Sequence, residues 1–332
     1  MRRTFKRVHG RVFLTILALA CTPQAHAEPN PTAPLAVRNL APFSGLYGVP
    51  RMRGAGSAQG VSVALDQVSN FSSSNDGATQ IFQDGETSVL RLTAARAFAD
   101  ERIDVGVELP WVRHSGGELD RYIDGFHRAF GLPEGGRENA PRNQLDLLLR
   151  VAGETEVRRQ DSGGGLGDTV IWGGYALLET DNRAVRARAQ LKLPTGDAAE
   201  ITGSGGLDLS AWVELFDQQL LASLKTDITA GIGMTYLGAG DLAPAAQKRW
   251  VPIAHFGIHR ALGRWLFTGQ LDAHGALFDL SVDQLGEPAL LGTLGVRRPF
   301  GEGQQLTVSL VEDLIGQSTS DVVFQLAWEK RW

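Results

Sequence analysis

Apolar and polar residues alternate along most of this chain, in segments of about 10–13 residues. In one segment, the apolar odd positions from Ile103 to Trp111 alternate with Asp104, Gly106 and Glu108. A period of two residues places these sets on opposite faces of a β-strand. The 40 glycines and 14 prolines lie mostly between such segments, where turns are expected. The pattern therefore predicts an all-β chain of antiparallel strands.

The alternating faces fit two architectures. In a soluble sandwich the apolar face would form the core, whereas in a transmembrane barrel it would meet lipid and the charged face would line the lumen. The segments have the length of a tilted membrane strand, and aromatic residues occur near their ends, where a membrane interface lies. These aromatic residues are Trp111, Trp250, Trp265, Phe300 and Trp332. The sequence thus favours an antiparallel transmembrane β-barrel.

The last segment, 321–332, ends on a tryptophan. Its apolar face carries Val322, Phe324, Leu326, Trp328 and Trp332. A terminal aromatic residue on such a face is similar to the C-terminal signature by which bacterial outer-membrane barrels are assembled. We interpret Phe324, Trp328 and Trp332 as an assembly signal for the barrel-assembly machinery. The alternative is the ordinary last strand of a soluble sheet.

Residues 1–27 have the pattern of a secretory signal peptide. The basic residues Arg2, Arg3, Lys6 and Arg7 precede an apolar stretch at 12–20, which is too short to span a membrane, and a small-x-small motif ends at Ala27. Cleavage after Ala27 would remove Cys21, the single cysteine, and would exclude disulfides and thiolate metal sites. The alternative is lipidation of Cys21, which Ala18 disfavours because that position usually holds Leu. The predicted location is the cell outer membrane, in contact with its lipid.

Charge and composition exclude several classes of protein. A net charge of −5 argues against a nucleic-acid partner. No apolar run reaches the roughly 18 residues of a transmembrane helix. We predict three regions: a signal peptide (1–27), an N-terminal periplasmic or plug segment (28–59) and the barrel (60–332).

Connection lengths predict the strand number. Short turns are expected near 99–101, 180–182, 217–219, 261–263 and 300–303, and longer loops at 72–84, 114–142, 195–205, 238–248 and 280–287. Outer-membrane barrels have short periplasmic turns and longer extracellular loops, and both chain ends should be periplasmic. The strand number is therefore even, and counting the segments gives about fourteen. Because 154–160 has little apolar content, twelve strands is the alternative.

Charged residues on the polar faces are the candidate lining of the lumen. They are Arg186, Arg188, Lys192, Asp208, Glu214, Lys225, Asp227 and Asp272. Side chains of both signs at close quarters would pair across the lumen and narrow it rather than confer strong ion selectivity.

The segment 28–59 is apolar but interrupted by proline and glycine, so no regular element is expected. With Arg38, Asn39, Phe43 and Tyr47, it would either enter the lumen as a plug or form a periplasmic tail.

The loop 115–136 contains one apolar helical face. It consists of Leu119, Tyr122, Ile123, Phe126 and Phe130, with His127 beside it. Gly131 and Pro133 would end this short helix at the extracellular mouth. Acidic residues near His127 suggest a metal site, but no second histidine follows at ligand spacing, so neither a metal nor a cofactor is predicted.

Two resemblances bear on function. Residues 34–39 (PLAVRN), 47–50 (YGVP), 116–120 (GGELD) and 126–133 (FHRAFGLP) resemble a bacterial outer-membrane family, domain of unknown function 3187. That family implies no catalytic residues. Residues 165–168 (GLGD) and 191–197 (LKLPTGD) are similar, more weakly, to outer-membrane transporter-like proteins of aromatic-degradation pathways, which implies a barrel and passage of apolar small molecules.

The sequence therefore predicts a channel or transporter for small solutes, and the second resemblance implies that apolar molecules are among them. The alternative is a closed structural or binding barrel without transport. A lipid-modifying enzyme is less favoured, because no nucleophile motif accompanies His255, His259 or His274.

Overall fold

The computed structural model describes residues 33–117, 143–315 and 317–332. In these ranges fifteen β-strands form one antiparallel sheet. They are β1 (Gly60–Asn75), β2 (Thr79–Phe98), β3 (Ile103–Ser115), β4 (Asp146–Val151), β5 (Glu154–Arg159), β6 (Gly163–Leu166), β7 (Thr169–Glu179), β8 (Arg183–Leu193), β9 (Asp208–Leu221), β10 (Thr226–Tyr236), β11 (Trp250–Leu262), β12 (Trp265–His274), β13 (Ala289–Pro299), β14 (Gln304–Asp313) and β15 (Val322–Lys330). Short helical turns occur at Ser44–Leu46, Ala222–Leu224 and Asp283–Gly286.

The sheet closes into a barrel because β1 pairs with β15, from Val61 opposite Lys330 to Ser69 opposite Val322. The ring contains β1 to β3 and β7 to β15, which is twelve strands. The predicted number of about fourteen is therefore too high, and the alternative of twelve is correct.

The predicted strand number is too high because some predicted strands pair beyond the ring. β4 pairs with Thr79–Asp84, whereas the ring strand β3 pairs with β2 only from Glu86 onward. β5 pairs with β4, and β6 adds to the end of β3. The predicted strands at 143–151 and 154–160 thus exist in part, but outside the ring. The predicted loop 72–84 is instead a continuous hairpin, because β1 and β2 pair as far as Asn75 and Gln80.

The two ends of the barrel differ. At one end, here called the turn end, lie Gly60, Lys330 and the short connections 99–102, 180–182, 222–225, 263–264 and 300–303. The opposite end, the loop end, carries the longer connections. The predicted helix with Leu119, Tyr122, Ile123, Phe126, His127 and Phe130 falls outside the described residues.

The outer surface of the barrel is apolar. Exposed aromatic side chains lie toward the loop end at Trp111, Tyr236 and Trp250, and toward the turn end at Phe98, Trp265 and Phe300. Between them the outward residues are mainly Leu, Val and Ile. Such a band with aromatic borders has the form of a lipid-facing surface. Among the described residues, no helix is long and apolar enough to span a membrane.

A charge placed in the middle of this surface tests its environment. Leu294, in the middle of β13, and Leu220, at the turn end of β9, are exposed by 70% and 67%. If the band lies in a bilayer, Leu294→Lys should lower the free energy of unfolding by about 2–4 kcal/mol and Leu220→Lys by about 0–1 kcal/mol. Urea unfolding in phospholipid vesicles measures both. Equally small losses of unfolding free energy in the two variants would contradict a membrane location of this face.

The interior is filled by the chain itself. Residues 33–59, here called the lumenal segment, lie inside the ring. Near the loop end its Phe43, Tyr47 and Met52 pack in a buried apolar cluster with loop and strand residues such as Leu149 and Phe278. A smaller cluster joins the segment to the wall, with members Leu35, Val37, Leu40, Val68, Leu291, Val311 and Val323. The hydrophobic core is thus inside the barrel and depends on the segment.

Candidate functional site

The lumenal segment runs from the turn end to the loop end and back. Near the turn end, the Arg297 guanidinium donates to the carbonyl of Ala33. Near the loop end, Asn39 Nδ2 donates to the carbonyl of Ser318 at 2.7 Å. The segment then returns, and Gln59 donates to the carbonyl of Trp332. Both arms of the segment therefore lie in the lumen.

Side chains of the wall hydrogen-bond to the backbone of the segment. The side-chain amide of Gln270 binds both backbone groups of Leu35. It accepts from the N–H at 2.7 Å and donates to the carbonyl at 2.9 Å. Glu214 accepts from the N–H of Arg53 at 2.7 Å. A segment without regular structure has no internal partners for these groups, so the inward polar residues supply them.

Gly48 lies directly against the wall. Its N–H donates to Asp208 Oδ2 at 2.8 Å, and its carbonyl accepts from Gln190 and Ser210 at 3.0 and 2.8 Å. A Cβ atom at Gly48 would lie 2.6 Å from the Cβ of Asp208. Only glycine fits this position without movement of β9.

Two buried arginines of β8 hold the returning arm. Arg188 Nη2 donates to the carbonyls of Gly54 and Gly56 at 2.7 and 2.9 Å, and Arg186 Nε donates to that of Ala55 at 2.9 Å. Both guanidinium groups pair with Asp104, at 2.6 and 2.8 Å. Asp104 thus orients the two groups that bind the segment, and Glu214, 2.8 Å from Arg188 Nε, supplies the second negative charge.

Ion pairs join the segment to Asp66 of β1 and Glu108 of β3. Arg51 of the segment pairs with Glu108 at 2.7 Å, and Arg53 approaches the same carboxylate at 3.4 Å. In the wall, Arg91 binds Asp66 through two hydrogen bonds, at 2.6 and 3.1 Å. All five side chains are at least nine-tenths buried, where an unpaired charge would cost several kcal/mol.

The structure places most of the predicted lumen residues inward. The buried ones are Arg186, Arg188, Lys192, Asp208, Glu214 and Asp272. Lys192 contacts Asp168, Ser204 and Asp208, and so joins the wall to a loop.

The predicted lumen residue Lys225 does not face the lumen: it is exposed in the turn before β10, with a left-handed φ of 52°. The turn falls there because β9 continues to Leu221, beyond the predicted turn at 217–219. Asp227, at the start of β10, is only half-buried.

The residues predicted for the N-terminal segment all lie in the lumen. Phe43 and Tyr47 are 1% exposed, and the Tyr47 ring meets Phe278 edge-on at 5.4 Å. Burial raises the pKa of Tyr47 above its usual range, and the carboxylate of Asp208 adds to the shift. Arg38 donates to carbonyls within the segment, and so stabilises its turn.

At the C-terminus, Phe324 is exposed on the apolar face of β15. Trp328 is half-buried and donates to Gln304 at 3.2 Å, and Trp332 follows the end of the strand.

A hydrogen-bonded histidine network lies between β10, β11 and β12. His255 contacts Asp272 and Thr229, both at 3.0 Å, while Thr229 also contacts His259 at 2.9 Å. A carboxylate, an imidazole and a hydroxyl in series suggest nucleophilic catalysis. Here, however, the hydroxyl is buried and shared by two imidazoles, so it is not presented to a substrate. Among the described residues, no group of three His, Cys, Asp or Glu side chains is placed to hold a metal ion.

Sequence reasoning missed several residues that hold the segment. Asp66, Arg91 and Gln270 belong to the polar faces of their strands, so the period of two would have included them. Arg51 and Arg53 lie in a segment without periodicity, where nothing in the sequence indicates their partners.

Comparison with one solved structure shows the same fold. The COG4313 outer membrane channel from Pseudomonas putida F1 is 13% identical, with a TM-score of 0.54 over 86% of this chain and 98% of that one. The toluene transporter TbuX of Ralstonia pickettii is 13% identical, with a TM-score of 0.41 over 89% and 98% of the chains. The NanC porin is 8% identical, with a TM-score of 0.46 over 82% and 100%.

A search of curated protein sequences found no match. The family model described as "Protein of unknown function (DUF3187)" matches residues 11–332, which confirms the first resemblance, and the chain therefore belongs to that family.

Proposed function

We propose that the protein is an outer-membrane channel for small solutes and that the lumenal segment closes it in the state described. One observation carries this proposal: a segment outside the strands fills the lumen, held by hydrogen bonds and ion pairs as well as by two apolar clusters. Eight-stranded barrels are filled by wall side chains and barrels of 16–18 strands hold aqueous channels, so a twelve-stranded ring has room for a pore. The segment occupies that room.

Polar contacts suit a segment that moves. A hydrogen bond between segment and wall exchanges for one to water when the lumen hydrates, so its net contribution is only about 0.5–1.5 kcal/mol. The backbone of Leu35 is held in this way by Gln270, while its side chain packs in the smaller apolar cluster. By contrast, the apolar cluster around Phe43 and Tyr47 favours a fixed position near the loop end. Movement is therefore expected in the two arms near the turn end.

The location is part of the proposal. The apolar band, its aromatic borders and the signal-like residues 1–27 all support export and insertion into the outer membrane. The turn end would then face the periplasm, as short turns do in such barrels. In this orientation the arms of the segment open toward the periplasm.

Single-channel recording in planar bilayers tests the channel. The full chain should show rare, brief openings, and Gln270→Ala should raise the open probability by about ten-fold, because two hydrogen bonds to Leu35 are lost. Gln83→Ala is the matched control: Gln83 is also a buried glutamine, but it donates to Ser72 of the neighbouring strand. Silence of the full chain and of Gln270→Ala would rule out a channel opened by this segment.

A closed structural or binding barrel is the second candidate. The complete burial of Phe43 and Tyr47 favours it, because these residues form a core rather than a hydrated pore lining. Silence in the same recordings, with a folded barrel on gels of unboiled samples, is its expected result.

A further inference from the structure

A cavity of about 140 Å³ lies inside the barrel, between the lumenal segment and the wall. On one side it is lined by Pro34, Met52 and Arg53 of the segment. The facing wall belongs mainly to β1, β2, β14 and β15, with Glu108 of β3, Trp172 of β7 and Arg297 of β13. Because Gly60 and Arg331 also line the cavity, it extends toward the turn end.

The lining carries an excess of positive charge. It includes Arg53, Arg91, Arg297 and Arg331, but only Glu108 and Glu329 as carboxylates. Counting their ion-pair partners Arg51 and Asp66 leaves the excess of two positive charges unchanged. A cleft inside the barrel with this excess of positive charge favours an anion.

Two buried donors of the lining lack a partner. Trp172 is 3% exposed, and its Nε1 has no hydrogen-bond partner. The Arg53 side chain is 10% exposed, its Nε is likewise unpartnered, and its guanidinium lies 4.3 Å from the Trp172 ring centre. Unsatisfied buried donors are costly, so a ligand that accepts hydrogen bonds would be bound there.

The rest of the lining combines uncharged polar side chains, such as Gln305 and Gln325, with a group of alanines. It includes Ala33, Ala36, Ala58, Ala64, Ala95 and Ala327. A cavity of roughly 150 Å³ holds one benzene molecule, which sets the scale for a hydrocarbon body of about six carbons.

We propose that this cavity binds a small organic carboxylate, with the carboxylate at Arg53 and Trp172 and the hydrocarbon against the alanines. The inference rests on the proposed function in that it names the class of solute, although binding itself does not require conduction.

Isothermal titration calorimetry of the folded full chain in detergent tests the site, with hexanoate as the probe and hexanamide as its uncharged analogue. Hexanoate should bind saturably, and hexanamide at least ten-fold more weakly. Arg53→Gln should weaken hexanoate binding at least ten-fold while leaving the backbone bond of Arg53 to Glu214 in place. Equal binding of the two probes, or full affinity in Arg53→Gln, would overturn the proposal.

Two further variants exclude a loss of folding as the cause. Ala64→Leu fills the cavity without a change of charge and should abolish hexanoate binding. Arg158→Gln removes an arginine of β5, outside the ring, and should leave the affinity within two-fold. For each variant, a difference in gel mobility between boiled and unboiled samples first shows that the barrel is folded. Hexanoate binding by Ala64→Leu at the affinity of the unaltered chain would contradict the site.

The binding site and the channel can fail separately. Saturable hexanoate binding by an electrically silent protein would uphold the site and reject the channel. Openings without saturable hexanoate binding would uphold the channel and reject the site.

Discussion

Deletion of residues 33–58 is expected to convert a barrel that opens rarely into one that conducts continuously, raising the mean current by more than about ten-fold. The physical reason is that twelve strands enclose more space than the inward side chains alone fill. Without the segment, water reaches Arg186, Arg188 and Asp104, which retain their pairs within the wall. Recording in planar bilayers at fixed voltage measures the change.

The deletion also removes Phe43, Tyr47 and Met52 from the apolar cluster at the loop end, so folding must be verified. The deletion variant should keep the mobility difference between boiled and unboiled samples. A folded deletion variant that remains silent would mean that the wall or its loops close the lumen, and the segment would then not be the gate.

Asp104→Asn is expected to cause the largest loss of stability among single substitutions of the wall, about 3–5 kcal/mol. Asp104 accepts from Arg186 and Arg188 at 2.6 and 2.8 Å, and all three side chains are fully buried. Loss of the carboxylate charge leaves Arg188 paired only with Glu214 and leaves the buried Arg186 with only the exposed carboxylate of Glu179, at 3.7 Å. It also loosens their hold on the carbonyls of Gly54 and Ala55. Urea unfolding in vesicles measures the effect.

Asp217→Asn is the matched control, because Asp217 pairs with Arg183 at 2.6 Å at the turn end, where the arginine is 47% exposed. Exposed pairs contribute about 0–1 kcal/mol, so the control should change the free energy of unfolding little. Similar small losses in both variants would show that water already reaches Asp104 in the closed barrel.

The faces of the strands were predictable from the sequence. Arg186 and Arg188 point inward because residues two apart share a face, and this holds whatever partners the strand finds. Strand number was less predictable, since β4 and β5 have ring-like patterns but pair only with the extended end of β2 and with each other. The prediction placed Lys225 in the lumen because it put the turn after β9 at 217–219, whereas β9 continues to Leu221 and Lys225 lies in the turn.

The sequence by itself determined that the chain is all-β and which residues of each strand share a face. These properties follow from backbone geometry over two residues and need no distant contact. Only the tertiary structure decided that twelve strands close the ring and that residues 33–59 fill it. The partners of that segment, among them Gln270 for Leu35 and Glu108 for Arg51, are brought near by ring closure alone. A segment broken by proline and glycine has no period of its own, so its position depends on which buried polar groups it satisfies.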